Sequence, residues 1–117
     1  MAIPDIDYNA PFQRSLELIG KRWSGAVLRA LMGAPIRFNQ LLTGIPGISD
    51  RVLTERLREL ESESLVERLV DPGPPVRVSY RLTAAGRSLA PVFAAVDVWA
   101  GRWEPAGPAA ESGSAAG

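Results

Sequence analysis

The amino-acid sequence predicts a small, mostly helical α+β domain. Apolar residues recur at helical spacing in five stretches, whereas only two neighbouring stretches alternate apolar with polar residues as a β-hairpin does. The chain has 117 residues, of which 46% are hydrophobic, and these values suit one domain with a modest core.

The first part of the chain predicts an arm and three helices. Residues 1–10 are expected to be extended, because their apolar side chains have no helical spacing around Pro4. The three helices are each bounded by the glycine and proline residues that favour helix ends. Their expected bounds are 12–19, 23–32 and 38–43, with a short strand at 36–37 before the third helix.

A fourth helix is predicted over residues 49–62, after Ser49 as its N-cap. Leu53, Leu57 and Leu60 are spaced by four and then three residues, so they form one apolar stripe. The opposite side carries Arg51, Thr54, Glu55 and Arg58. A short helix packed by leucines, with arginine and hydroxyl groups facing away, is what insertion into a DNA major groove requires. An ordinary amphipathic helix with a solvated charged face explains this segment equally well when the segment is taken alone.

The second part of the chain predicts a hairpin and a long helix. Two strands are expected at 65–71 and 76–82, joined by the rigid turn PGPP. In the second strand one face is expected to carry Val76, Val78, Tyr80 and Leu82, and the other Arg77, Ser79 and Arg81. The last helix is capped by Thr83 and extends to Trp103, and Pro91 is expected to kink or break it.

Residues 104–117 contain no large apolar side chain and are expected to be disordered. The expected organisation is therefore an arm at 1–10, a DNA-binding and dimerisation domain at 11–103, and a tail at 104–117.

The residue types that are absent argue against an enzyme and against a metal site or other cofactor. The chain has neither cysteine nor histidine, which removes the commonest metal ligands and the commonest general base. No apolar run approaches the roughly 20 residues that cross a bilayer. The amino terminus lacks the basic start of a secretory signal. A cytoplasmic protein with no membrane partner is expected.

Charge is distributed unevenly along a chain of zero net charge. Between residues 20 and 60, seven basic residues occur with three acidic ones. This segregation lets a neutral protein present a basic face to nucleic acid.

The element order is helix, helix, short strand, helix, helix, strand, turn, strand, helix. Two helices that meet at a short turn, followed by a hairpin, define a winged helix-turn-helix. The sequence also resembles the HxlR-type bacterial transcription regulators, which are near the MarR-type winged helices. The similarity covers about residues 11–103 and lies in four motifs: IGxxW from Ile19, RFxxL from Arg37, GIS–LTxRLREL from Gly47, and YxLTxxGRSL from Tyr80.

The resemblance implies a DNA-binding homodimer whose first and last helices lie at the dimer seam. Many members of the family carry a cysteine just before the first helix, where it senses oxidants or aldehydes. Here Ala10 occupies that place, so sensing through a thiol at this residue is impossible.

The candidate DNA contacts fall into three groups. In the fourth helix, residues 49–58 are expected to enter the major groove, and Ser49 is one of the candidate contacts there. Arg51 and Thr54 are expected to reach base edges and Arg58 or Arg56 a phosphate. For Glu55 there are two alternatives: it accepts a hydrogen bond from a cytosine amino group, or it orients Arg51 and Arg58. Arg56 has an alternative to the phosphate contact, which is to pair with Glu59 or Glu63. The other groups are the phosphate contacts Lys21, Arg22, Arg37, Asn39 and Gln40, and the wing residues Arg77 and Arg81, which could instead form a solubilising strand face.

The expected dimer interface consists of Tyr8, Phe12, Leu16, Leu89, Val92, Phe93, Val96, Trp99 and Trp103. These side chains exceed what a small domain can bury within itself, whereas Trp23 is expected in the core. Apolar walls between the long helices could also hold a small-molecule effector. Two other functions stay open at this point: a winged-helix module for protein–protein contact, and a small-molecule sensor without direct DNA binding.

Overall fold

A computed structural model describes residues 3–103 and contains the elements that the sequence predicts, in the predicted order. They are α1 (Ala10–Ile19), α2 (Ser24–Ala30), β1 (Ile36–Arg37), α3 (Phe38–Gly44), α4 (Asp50–Ser62), β2 (Val66–Asp71), β3 (Arg77–Leu82), α5 (Ala84–Arg87) and α6 (Ala90–Trp103). The predicted disordered tail and the first two residues of the arm lie outside the described residues.

Side-chain caps fix where the helices begin. The Asn9 side chain accepts a hydrogen bond from the Phe12 backbone N–H at 2.9 Å, so α1 begins two residues earlier than predicted. Ser49 accepts from the Val52 N–H at 3.1 Å and starts α4 as predicted. Thr83 accepts from the Gly86 N–H at 3.1 Å and also donates to the Ser64 carbonyl, which ties the start of α5 to the end of α4.

The second helix is shorter than the predicted 23–32. Trp23 has a φ of 76°, in the left-handed region, so a right-handed helix cannot include it. The apolar stripe predicted for this helix is nevertheless correct, because Val27, Leu28 and Leu31 are all buried.

Pro91 breaks the last helical segment, as expected. Proline has no N–H to donate and its ring clashes with the carbonyl four residues earlier, here that of Arg87. Helix α5 accordingly ends at Arg87, and Pro91 lies in the first turn of α6, where proline is tolerated. The chain divides into two compact units at this break, one ending at Arg87 and the other beginning at Ser88.

The first unit contains a three-stranded antiparallel sheet in the order β1-β3-β2. Ile36 pairs with Tyr80, and Val66 pairs with Leu82. Helix α4 packs against both α2 and β2 and brings its leucines into the core. Val76, predicted to face inward with Tyr80, is 67% exposed, because it precedes β3 in the turn at the tip of the hairpin.

None of the helices within residues 3–103 is long and apolar enough to cross a membrane.

Candidate nucleic-acid interface

Helix α4 has one buried face and one exposed face. Leu53, Leu57 and Leu60 are at most 1% exposed, as their spacing predicts. On the other side, the Arg51 side chain is 85% exposed and that of Glu55 is 49% exposed. Arg58 and Ser49 are also exposed, and Thr54 is half-buried. The helix therefore presents its N-terminal end and its arginine face to solvent while its leucines hold it in place.

The turn between α3 and α4 sets the direction in which α4 points. Ile45 and Ile48 are buried on either side of Gly47, so the turn is anchored in the core. Gly47 has a φ of 88°, which side chains larger than hydrogen rarely adopt, and a Cβ there would lie 3.4 Å from the Trp23 ring. Trp23, predicted in the core, is half-buried beside this turn.

The charged residues of α4 form a continuous series of ion pairs. Arg51 Nε lies 3.8 Å from Glu55, and the Arg56 guanidinium lies 3.5 Å from Glu55 and 2.9 Å from Glu59. Lys21 Nζ completes the series at 3.1 Å from Glu59.

This series shows which intramolecular partners Arg56 and Glu55 have. The Arg56 side chain is only 14% exposed and pairs with Glu59, so its placement argues against a phosphate contact. Glu55 pairs with Arg51, as expected, but its second partner is Arg56 and not Arg58. In the described part of the chain Arg58 makes no ion pair, which leaves its guanidinium accessible to a ligand.

Glu59 is the acidic centre of this series. The hydrogen bond from the Lys21 ammonium holds the pKa of Glu59 below its ordinary value of 4.5. Partial burial acts in the opposite direction, and the hydrogen bond and charge of Arg56 lower the pKa further. The carboxylate is therefore ionised at neutral pH, and Lys21 would have to share its charge between Glu59 and any DNA phosphate.

A cleft of about 390 Å³ lies beside the start of α4. Lys21, Arg22 and Trp23 line it from the α1–α2 corner, and Ser49 and Val52 line it from α4. The Arg22 guanidinium lies 5.4 Å from the centroid of the Trp23 ring, within the range of a cation–π contact. Arg56 lines the same cleft from α4, so basic residues from two parts of the sequence meet next to the exposed N-terminal end of this helix.

The predicted phosphate contacts at the start of α3 are exposed, but one also has a structural role. Gln40 Oε1 accepts a hydrogen bond from the Arg37 backbone N–H at 3.1 Å and so caps the helix. Arg37 and Asn39 are also exposed.

The hairpin of β2 and β3 forms the wing, and its charges are more balanced than the sequence suggested. Arg81 Nε donates to Glu67 at 2.9 Å, and Arg77 stands opposite Asp71 in the register. Arg68, which the sequence interpretation passed over, is exposed on the other face, beside Tyr80. The register that pairs Arg68 with Tyr80, and not the sequence of β2, gives this placement.

All nine residues predicted for the dimer interface are exposed or half-buried. In the first unit, Tyr8, Phe12 and Leu16 are 69%, 54% and 50% exposed. In the second unit, Val92, Val96, Trp99 and Trp103 are 42–60% exposed, and Leu89 and Phe93 are half-buried. The Trp99 and Trp103 rings stack with centroids 4.8 Å apart. Each unit thus carries an apolar surface that its own residues do not cover.

Comparison with known proteins agrees with this architecture. A model of HxlR-like helix-turn-helix proteins matches residues 18–107, which is most of the chain. The chain belongs to the HxlR-like helix-turn-helix family.

Relatives within the HxlR-like family are transcriptional regulators. YodB of Bacillus subtilis (strain 168), a helix-turn-helix transcriptional regulator, is 44% identical over 88 residues, which cover 75% of this chain and 79% of YodB. The structure of reduced YodB matches with a TM-score of 0.75 at 41% identity, over 82% of this chain and 94% of that one. A MarR-family regulator from Porphyromonas gingivalis W83 matches with a TM-score of 0.76 at 25% identity, over 88% of this chain and all of that one. This chain has the winged helix-turn-helix fold of a DNA-binding regulator.

Several of the similar structures are redox forms. YodB has been solved in reduced, diamide-treated and quinone-bound forms, and the redox regulator HypR in reduced and oxidised forms. The present chain contains no cysteine, so it cannot undergo thiol oxidation.

Proposed function

We propose that this protein is a sequence-specific transcription regulator that binds a pseudopalindromic DNA operator as a homodimer. The observation that carries the proposal is the geometry of α4. Its leucine face is buried in the core, while Arg51, 85% exposed, projects near the end of the helix that contacts bases in helix-turn-helix docking.

The proposed role of each residue follows from how exposed its side chain is. Arg51 and Thr54 read base edges in the major groove, because arginine pairs bidentately with guanine and threonine contacts either edge groups or the thymine methyl. Arg58 contacts a phosphate. The backbone contacts outside α4 come from Lys21, Arg22, Arg37, Asn39, Gln40 and Arg77.

The homodimer is supported by the uncovered apolar surfaces of α1 and α6. Large apolar patches on a small protein mark interaction sites. A single helix-turn-helix reads few base pairs, and two copies related by a two-fold axis read two half-sites.

The test begins with selection of bound fragments from genomic DNA, which supplies the operator. Wild type is then titrated against operator and scrambled duplex at several salt concentrations. We expect tighter binding to operator and a linear fall of log affinity with log salt, because phosphate contacts release counterions.

Two variants separate the roles within α4. Arg51→Ala should lower the preference for operator over scrambled duplex by about 1–3 kcal/mol. Arg58→Ala, which changes a matched arginine on the same helix, should lower the affinity for both duplexes equally. Equal binding of both duplexes by wild type would contradict the proposed function.

A further inference from the structure

Arg56 joins the two carboxylates of α4 that bracket it. Its Nη1 atom lies 2.9 Å from Glu59 Oε1 and its Nη2 atom 3.5 Å from Glu55 Oε1. The side chain is 14% exposed, and its Nε is buried without a hydrogen-bond partner. Arg56 therefore directs its guanidinium toward two glutamates of its own helix, with one hydrogen bond to Glu59 and one longer ion pair to Glu55.

Each of those glutamates uses its second oxygen for another cation. Glu59 Oε2 accepts from Lys21 at 3.1 Å, and Glu55 Oε2 lies 3.8 Å from Arg51 Nε. Charges of opposite sign thus alternate from the α1–α2 corner to the exposed face of α4, and the most buried member, Arg56, is in the middle.

We propose that Arg56 and Glu59 are positioning residues that set the direction of the Arg51 side chain for base recognition. This inference rests on the proposed function, in which Arg51 reads a base. A solvent-exposed arginine with a single, loose partner one helical turn away samples many rotamers. The ion pair with Arg56 restrains the Glu55 carboxylate on one side, so the positions from which it attracts Arg51 are fewer, and Arg51 samples fewer rotamers before DNA binds.

The anchor of this arrangement lies outside α4. Lys21 is 38 residues from Glu59 in the sequence, so their ion pair exists only in the folded chain. Base discrimination by α4 consequently depends on the α1–α2 corner as well as on the helix itself.

The experiment is a double-mutant cycle on base discrimination. The ratio of affinities for operator and for an operator altered at the base pair read by Arg51 is measured for wild type, Arg51→Ala, Arg56→Met and the double variant. We expect Arg56→Met to lower this ratio by about three- to tenfold in the wild-type background, a fraction of what a lost bidentate contact costs. In the Arg51→Ala background it should lower the ratio no further.

Two more variants and one control test whether the effect of Arg56→Met comes only from a structural change in α4. Glu55→Gln changes an exposed residue and leaves the buried Arg56 in place, and it should also lower the ratio only when Arg51 is present. Glu59→Gln should act in the same direction, whereas Glu63→Gln, the same change at the C-cap of α4, should not.

If Arg56→Met lowers the affinities for both duplexes equally, the positioning role is wrong while the proposed function stands. The same holds if Arg56→Met lowers the affinity ratio as much in the Arg51→Ala background as in wild type. A wild type without any sequence preference would instead overturn the proposed function, and this inference with it.

Discussion

Arg81 and Glu67 face each other across the wing, with Arg81 Nε donating to Glu67 Oε1 at 2.9 Å. They are directly paired in the antiparallel register, so the contact follows from the strand alignment. One of the two arginines expected to contact DNA from the wing is therefore neutralised before any DNA arrives. Arg77 makes no ion pair within the described residues.

The first prediction concerns this difference between the wing arginines. Arg77→Ala should weaken binding to operator and scrambled duplex alike and lower the salt slope by about 1, as expected for one lost phosphate contact. Arg81→Ala should have a smaller effect, because Glu67 already shares its charge. Glu67→Gln should raise affinity for both duplexes, since it removes an anion and releases Arg81. Titrations at several salt concentrations measure all three, and a larger loss for Arg81→Ala than for Arg77→Ala would be inconsistent with this account.

The second prediction concerns the apolar face of α6. Val96 is 52% exposed, so Val96→Glu should produce a monomer at micromolar concentration, because a charge cannot be buried unpaired in an interface. Ala94→Glu places the same charge on the opposite side of the helix and should leave the dimer intact. Sedimentation at several concentrations distinguishes the species. If wild type is monomeric throughout, the model of two half-sites is wrong.

The third prediction follows from the absence of cysteine. Diamide or peroxide should not alter DNA affinity through disulfide formation, because this chain has no thiol to oxidise. Methionine oxidation is the sulfur chemistry that remains, and thiols do not reverse it directly. Affinity is compared before and after oxidant, and again after dithiothreitol. A loss of binding that dithiothreitol restores would refute the prediction.

The fourth prediction tests the close packing behind the wing. Gly86 is buried, and a methyl group there would overlap the Leu65 carbonyl oxygen and press on the Leu82 side chain. Gly86→Ala should lower the free energy of unfolding by about 1–3 kcal/mol, as overpacking does. Gly44→Ala, in a helical position with no atom near the added methyl, should be neutral or stabilising by up to about 1 kcal/mol. Denaturant unfolding of both variants gives the comparison, and equal stabilities would show that α5 can move aside.

The local sequence was sufficient to predict most element boundaries. The alternation predicted for β3 is confirmed from Tyr80 to Leu82, whereas Ser79, expected on the exposed face, is half-buried. The Ser49 cap and the leucine spacing of α4 each depend on residues a few positions apart, and both are confirmed. The effect of Pro91 was predicted for the same reason. The main error of this kind is the length of α2, because nothing in the neighbouring residues indicates the left-handed conformation of Trp23.

The family, the fold and the two faces of α4 could be predicted from the sequence, because they follow from short-range periodicity, caps and motifs. Which charges are available to a ligand depends on the residues that folding brings together. Lys21 meets Glu59 across 38 residues, Arg81 meets Glu67 across 14, and Arg56 is withdrawn between two glutamates while Arg58 stays exposed. An ion pair forms only between groups that are close in space. Periodicity along one helix or strand predicts the side from which a side chain projects, but it does not predict which residue of another element will lie beside it.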